Sequence, residues 1–152
     1  MIRRATIEDA QKLAECAGKF YEHSNCKDVG LFFDLKHTKD FAVGLIESPN
    51  GCLILAENDG VLVGFVAGVI APWMMDRSQF IAQEQAWWIN PEHRNGKYAI
   101  GLLRAFESWA KDNGATHCIM VHLENDMSPR LERFYGAMKY QRMETNYMRK
   151  VV

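Results

Sequence analysis

Arg94, Gly96 and Lys97 sit in one short turn, within the run Ile89-Asn90-Pro91-Glu92-His93-Arg94-Asn95-Gly96-Lys97-Tyr98-Ala99. An aromatic, β-prone segment leads into this turn, and an amphipathic helical pattern leads out of it. Unpaired N–H groups at a helix N-terminus point outward, and the helix dipole favours an anion there. Gly96 lets the backbone approach a ligand closely, and Arg94 and Lys97 add charge of the matching sign. The chemistry suits a phosphate-bearing ligand. The same residues also fit an ordinary strand-to-helix connection.

The elements around the turn follow from periodicity. Ile2 to Ala5 reads as a short strand, and Thr6 with Asp9 three residues on reads as a capping box for a first helix. Thr38 to Glu47 predicts a second, short helix. Cys52 to Ala56 and Val61 to Ile70 are strands joined by a hairpin turn at Asn58-Asp59-Gly60. Pro72 to Phe80 reads as a loop with exposed apolar groups, and Glu84 to Ile89 as the next strand. The clearest helix runs from Tyr98 to Asp112, with Asn113-Gly114 as its stop. His117 to Leu123 is a further strand. Ser128 and Pro129 open a last helix, and Tyr140 to Val152 is expected to end as strand. The helix between residues 89 and 117 argues for a parallel crossover, so a mixed α/β sheet is expected.

Composition narrows the classes. The chain has 152 residues, enough to bury a core without staples and too few for a second one, so residues 1–152 are read as one domain. Hydrophobic residues make up 48% and charged residues 24%, with a net charge of −1. That balance disfavours non-specific nucleic-acid binding. Cys16, Cys26, Cys52 and Cys118 form no CxxC pair and no zinc spacing, so no metal is expected. Free thiols, with no signal-peptide pattern and no long apolar run, lead to the expectation of a cytoplasmic protein without a membrane span.

The turn resembles the coenzyme-A signature of the GNAT N-acetyltransferase superfamily, in particular short bacterial and phage members. That signature reads Pro-Glu-x-Arg, then Arg/Gln-x-x-Gly-x-Gly/Ala, then a helix opening with paired aliphatics. Pro91, Glu92 and Arg94 match; Ala99 takes the final small-residue position, and Leu102-Leu103 follow. Lys97 stands where glycine is usual, and Gly96 falls one residue early. The resemblance covers essentially the whole chain. It implies a GNAT fold: one mixed, mostly antiparallel sheet of about six or seven strands, splayed at a parallel pair and flanked by about four helices. It implies acetyl-CoA as co-substrate, with Ile89 offering backbone to the pantetheine arm. Arg94, Asn95, Gly96, Lys97, Tyr98 and Ala99 would surround the phosphates.

A second motif strengthens the resemblance. Phe134-Tyr135 begins a segment similar to the family's closing Phe-Tyr-x-x-x-Gly-Phe, with Lys139-Tyr140 replacing Gly-Phe. The resemblance implies that Tyr135 protonates the leaving thiolate; a phenol is a plausible donor for it. Ser128 occupies the place of a coenzyme-contacting asparagine, and its hydroxyl serves equally well as a helix cap. Relatives carry a glutamate where Glu84 stands, and there it takes a proton from the acceptor amine. Only a neutral amine is nucleophilic, so the reaction needs such a base. Strand alternation places Glu84, Ala86, Trp88 and Asn90 on one face and Gln85, Trp87 and Ile89 on the other.

Substrate contacts are expected from Trp73 in the loop, from Trp88, and from Phe32. Leu31-Phe32-Phe33 also reads as an apolar plug on the core. The expected activity is direct transfer of acetyl from acetyl-CoA to a primary amine of a small molecule or protein. Backbone N–H near Ile89 would stabilise the oxyanion. Two alternatives are a non-catalytic acyl-CoA sensor and a toxin that acetylates aminoacyl-tRNA. Apolar residues around Trp73 and Phe80, with an edge strand near the C-terminus, suggest a homodimer.

Overall fold

A computed structural model describes residues 1–152. The chain runs β1 (Ile2–Arg4), α1 (Ala10–Glu22), α2 (Leu35–Glu47), β2 (Gly51–Asn58), β3 (Val61–Trp73), β4 (Asp76–Ile89), α3 (Lys97–Asp112), β5 (His117–Ile119) and α4 (Ser128–Ala137). The five strands form one sheet in the order β1-β2-β3-β4-β5. All neighbours are antiparallel except β4 and β5, which α3 connects as a parallel pair. The expected mixed sheet and four helices are present, with fewer strands than the six or seven expected.

Each face of the sheet carries its own core. Leu102, Phe106, Trp109 and Ala110 recur along one stripe of α3 and pack on Cys52, Ile54, Val63, Val66, Ala82 and Ile89. Leu13 and Cys16 of α1 and Leu45 of α2 cover Leu53, Leu55, Phe65 and Trp88 on the other side. Alternation along β2 and through Phe65 to Ala67 of β3 divides these sets, and the register shift opposite Ala56 and Glu57 turns the extra residue Val63 to the α3 face. Asp59 and Gly60 both take positive φ (50° and 78°), which gives the β2–β3 hairpin the tight turn expected there.

Three expectations need correction. The segment Pro72 to Phe80 is a continuing hairpin. β3 reaches Trp73 and β4 starts at Asp76, turning at Met74-Met75. Pro72 is tolerated because the pairing with β2 ends at Val69, so the missing N–H costs no bond there. Asp76 accepts from the Ser78 amide and hydroxyl at 2.9 and 2.7 Å, which stiffens the start of β4.

Residues 140–152 form no strand. Their alternating side chains have no apolar surface to cover; Met143 and Tyr147 are almost fully exposed. The faces of β4 also differ from simple alternation. Ala86 pairs with Ala67, but Glu84 pairs with Gly68, so Gln85 is an extra residue in a β-bulge. Glu84 therefore shares the α3 face with Trp87 and Ile89, while Ala86 and Trp88 face α1 and α2.

The end of α4 shows how the closing motif survives without its glycine. Tyr140 N–H bonds the Tyr135 carbonyl at 2.9 Å and Lys139 N–H bonds that of Gly136 at 3.0 Å, a Schellman pair. Lys139 holds the left-handed position at φ 65°. A side chain there costs about 1 kcal/mol that glycine avoids. Lys139→Gly should therefore stabilise the chain by about 1 kcal/mol and raise Tm by about 2–4 °C. Thermal unfolding checks this; an unchanged or lower Tm contradicts the strain.

Candidate active site

β5 pairs with β4 over Ile81 to Gln83 and no further. From Glu84 to Ile89 the outer edge of β4 is open, and the chain beyond Ile119 diverges from it. Asn90 N–H bonds the Val63 carbonyl at 2.8 Å, so Asn90 belongs to the pairs that bond β3. By the alternation of antiparallel ladders, the N–H and C=O groups of Trp87 and Ile89 point into the splay.

Glu84 is the first residue past the last parallel pair. Its Oε2 accepts the Val121 N–H at 3.0 Å, bridging the gap with a side chain where a strand carbonyl would otherwise do so. It is buried, and burial pushes its carboxyl up to about 7, with the Val121 hydrogen bond pulling weakly the other way. Tyr135 approaches the same peptide segment from α4, its hydroxyl donating to the Val121 carbonyl at 3.0 Å. Burial, and then the charge of Glu84, raise the phenol well above its ordinary range. Glu84 and Tyr135 are thus held on one residue. Near neutral pH the first sits at half ionisation and the second carries its proton.

Trp87 packs against α4 beside this pair. Its ring packs on Phe134 at 5.7 Å and on Tyr135 at 6.1 Å. Its indole Nε1 is buried and lacks any hydrogen-bond partner, a deficit a ligand carbonyl would relieve. An amide-bearing pantetheine arm fits an open strand edge beside such a donor.

The turn expected to hold phosphates lies at the far end of the splay. Gly96 takes φ +91°, and a side chain there would meet nothing within 4 Å, so the turn is open to solvent. Asn95 Oδ1 already accepts the Lys97 N–H at 3.2 Å. The N–H groups of Gly96, Tyr98 and Ala99 have no partner and are free for an anion. The Tyr98 ring is buried with its hydroxyl on Asn58 Oδ1, so its amide alone faces outward. Ala99 packs on the α3 core. These donors fit a diphosphate.

Several candidates have other engagements. Arg94 donates Nε to the Ile89 carbonyl at 2.9 Å, and its guanidinium lies 4.5 Å above the Trp88 ring. Ile89 therefore offers its N–H, not its C=O, to a ligand. Partial burial and then the nearby Arg130 lower the Arg94 pKa. The Ser128 hydroxyl accepts from Asn125 N–H at 2.9 Å and donates to the Leu123 carbonyl at 3.3 Å. It fastens the loop before α4 and does not cap the helix.

Trp88 is buried, bonds Asn90 Oδ1 through Nε1 at 2.9 Å, and packs against His23 at 5.1 Å. Phe32 is 86% exposed on the α1–α2 connection. The plug there is Phe33, stacked on Tyr21 at 5.7 Å. Trp73 is not brought to the site: it pairs with Asp76, eight residues or about 26 Å along β4 from Glu84. Arg130, on the exposed side of α4, donates Nη2 to the Arg94 carbonyl at 2.9 Å. The charge pattern of α4 alone gave no signal for that contact.

The profile of the Acetyltransferase (GNAT) family matches residues 13–140, and the chain belongs to this family. Aminoglycoside N(6')-acetyltransferase type 1 of Klebsiella aerogenes is 30% identical over 78 residues, which make up 51% of this chain and 51% of that protein. The match thus spans about half the length of that curated relative. Ribosomal-protein-alanine N-acetyltransferase from Brucella melitensis biovar Abortus 2308 superposes with a TM-score of 0.74 at 17% identity, over 99% of this chain and 97% of that one. AAC(6')-Iy in complex with the bisubstrate analogue CoA-S-monomethyl-acetylneamine superposes with a TM-score of 0.76 at 14% identity, over 100% and 98%. At these identities the structures establish the shared fold.

The raised Glu84 pKa has a sign in stability. The folded chain binds this proton more tightly than the unfolded chain. The contribution is complete below about pH 4.5 and is lost as pH rises through about 7. The loss is on the order of 3 kcal/mol. Glu84→Gln should remove it, so urea unfolding of variant and wild type should diverge across that window. Parallel curves contradict a buried, proton-retaining Glu84.

Proposed function

We propose that the chain transfers an acetyl group from acetyl-CoA to a primary amine of a small molecule or protein. One observation carries this reading: Glu84 and Tyr135 meet on the peptide groups of Val121, at the head of the open β4 edge. When bound, acetyl-CoA supplies an activated acyl thioester. The edge groups of Trp87 and Ile89 hold the pantetheine arm, and the Gly96, Tyr98 and Ala99 amides with Lys97 hold the phosphates. Glu84 removes the ammonium proton, which a carboxyl poised near neutrality does without a large free-energy mismatch. As the amine nitrogen bonds to the acetyl carbon and the C–S bond breaks, Tyr135 would give its hydroxyl proton to the departing thiolate, and the second proton shed by the nitrogen would restore the phenol. No metal takes part in the proposed scheme.

The names of the relatives support an amine acceptor, since both the Klebsiella protein and AAC(6')-Iy are aminoglycoside N-acetyltransferases. The acceptor surface belongs with Trp88 and Phe32 on the α1–α2 side of the splay. A homodimer through the β3–β4 hairpin tip is part of the proposal, because Met74 and Met75 are 88% and 73% exposed there.

Release of free thiol from acetyl-CoA, followed over aminoglycosides, polyamines and peptide N-termini, tests the reading. Amine-dependent thiol release is expected; coenzyme binding without release for any amine contradicts it. Tyr135→Phe keeps the ring and deletes the hydroxyl. Turnover should fall by roughly ten- to ten-thousand-fold with coenzyme affinity little changed. Wild-type turnover in that variant removes Tyr135 from the chemistry.

A further inference from the structure

α4 bridges the two sides of the splay. Its only buried residue is Ser128. Near its start, Arg130 reaches the turn after β4 and donates to the Arg94 carbonyl. Further along, Tyr135 reaches the chain after β5 and donates to the Val121 carbonyl. The two residues stand five apart, about 7.5 Å along the helix axis. Whatever shifts Arg130 therefore shifts Tyr135.

The surroundings of Arg130 lack a counterion. Arg94, Lys97 and Arg130 gather at the turn, and none takes part in any ion pair of the chain. Arg130 and Arg94 are close enough that one charge depresses the pKa of the other, with Glu92 the single opposing carboxylate. Like charges so placed destabilise the free protein and stabilise a bound anion. Arg130 uses one donor on the Arg94 carbonyl, which leaves four N–H groups in a planar fork. The fork can hold a phosphate oxygen without releasing the carbonyl. The free amides of Gly96, Tyr98 and Ala99 open onto the same turn.

We infer that Arg130 is a positioning residue: the coenzyme's diphosphate fixes it in place on the Arg94 carbonyl, and through α4 this holds Tyr135 at the thioester. The inference rests on the proposed acetyl-CoA reading and extends it. Occupancy at the turn and placement of the proton donor are then coupled. A thioester without a diphosphate reacts without that added hold on Arg130. No bond is made or broken by Arg130 itself.

Arg130→Ala and Arg130→Lys test this, and the exposed position of Arg130 leaves the fold intact. Calorimetry with ADP and with CoA gives the anion term. Thiol release with the best amine of the panel compares acetyl-CoA with S-acetylpantetheine, which lacks the diphosphate. Arg130→Ala should weaken ADP and CoA binding about tenfold or more. It should lower kcat/KM for acetyl-CoA about ten- to a hundredfold, with part of the loss in kcat. S-acetylpantetheine should react within about twofold of wild type, and Arg130→Lys should recover part of the acetyl-CoA rate. Equal losses on both thioesters would make Arg130 a plain brace for α4 and overturn the inference. Unchanged ADP binding overturns it as well. If wild type binds neither ADP nor CoA, the acetyl-CoA reading itself fails, so the two failures are distinct.

Discussion

Past Gln83 the outer edge of β4 has no strand to pair with, and the rest of the site follows from that. A parallel strand connected by one helix can keep its register or splay away, and β5 splays after three residues. Backbone donors and acceptors exposed by such a splay need partners. Glu84 supplies one by reaching the Val121 amide, and the Arg94 guanidinium supplies another at the Ile89 carbonyl. What stays unsatisfied is a strip from Trp87 to Ile89, with an orphan indole N–H beside it. That strip joins Glu84 and Tyr135 at one end to the turn at Gly96 at the other.

The bulge at Gln85 decides which side of the sheet Glu84 occupies. Without it, Glu84 would share a face with Trp88 and point toward α1 and α2. With it, Glu84 turns toward α3, opposite Gly68, where a side chain would collide with Phe106. Trp88 is left on the other face, where it packs on His23 and under Arg94. Arg94 therefore links the turn before α3 to the α1–α2 side of the sheet through one ring. The two faces of β4 thus differ: Glu84 and Trp87 lie on the α3 side, Ala86 and Trp88 on the side of α1 and α2.

Much of this was legible in the residues. The turn around Gly96, the α3 stripe and the Asn58-Asp59-Gly60 hairpin depend on local rules, and local rules read directly from sequence. The GNAT resemblance rested on Pro91, Glu92, Arg94 and Tyr135, residues whose types are tied to backbone and ligand chemistry. The bulge was not legible, because one inserted residue leaves no compositional mark and reverses the alternation beyond it. The hairpin tip was misread because Pro72 signals a loop unless the neighbouring edge is known to be empty. The expected last strand had alternation without an apolar surface to cover. Lys139 hid a Schellman turn that the hydrogen bonds reveal. The Arg130 contact is long-range and left no local pattern.

Amide hydrogen exchange, resolved by residue, tests the central claim that the coenzyme lies along the open edge of β4. Saturating CoA should slow exchange at Trp87 and Ile89, whose N–H groups face the splay, and at Gly96, Tyr98 and Ala99 at the start of α3. Amides already bonded across β2 and β3 should change little. If CoA binds while these five amides exchange as fast as in the free protein, the coenzyme lies elsewhere and the site described is not its seat.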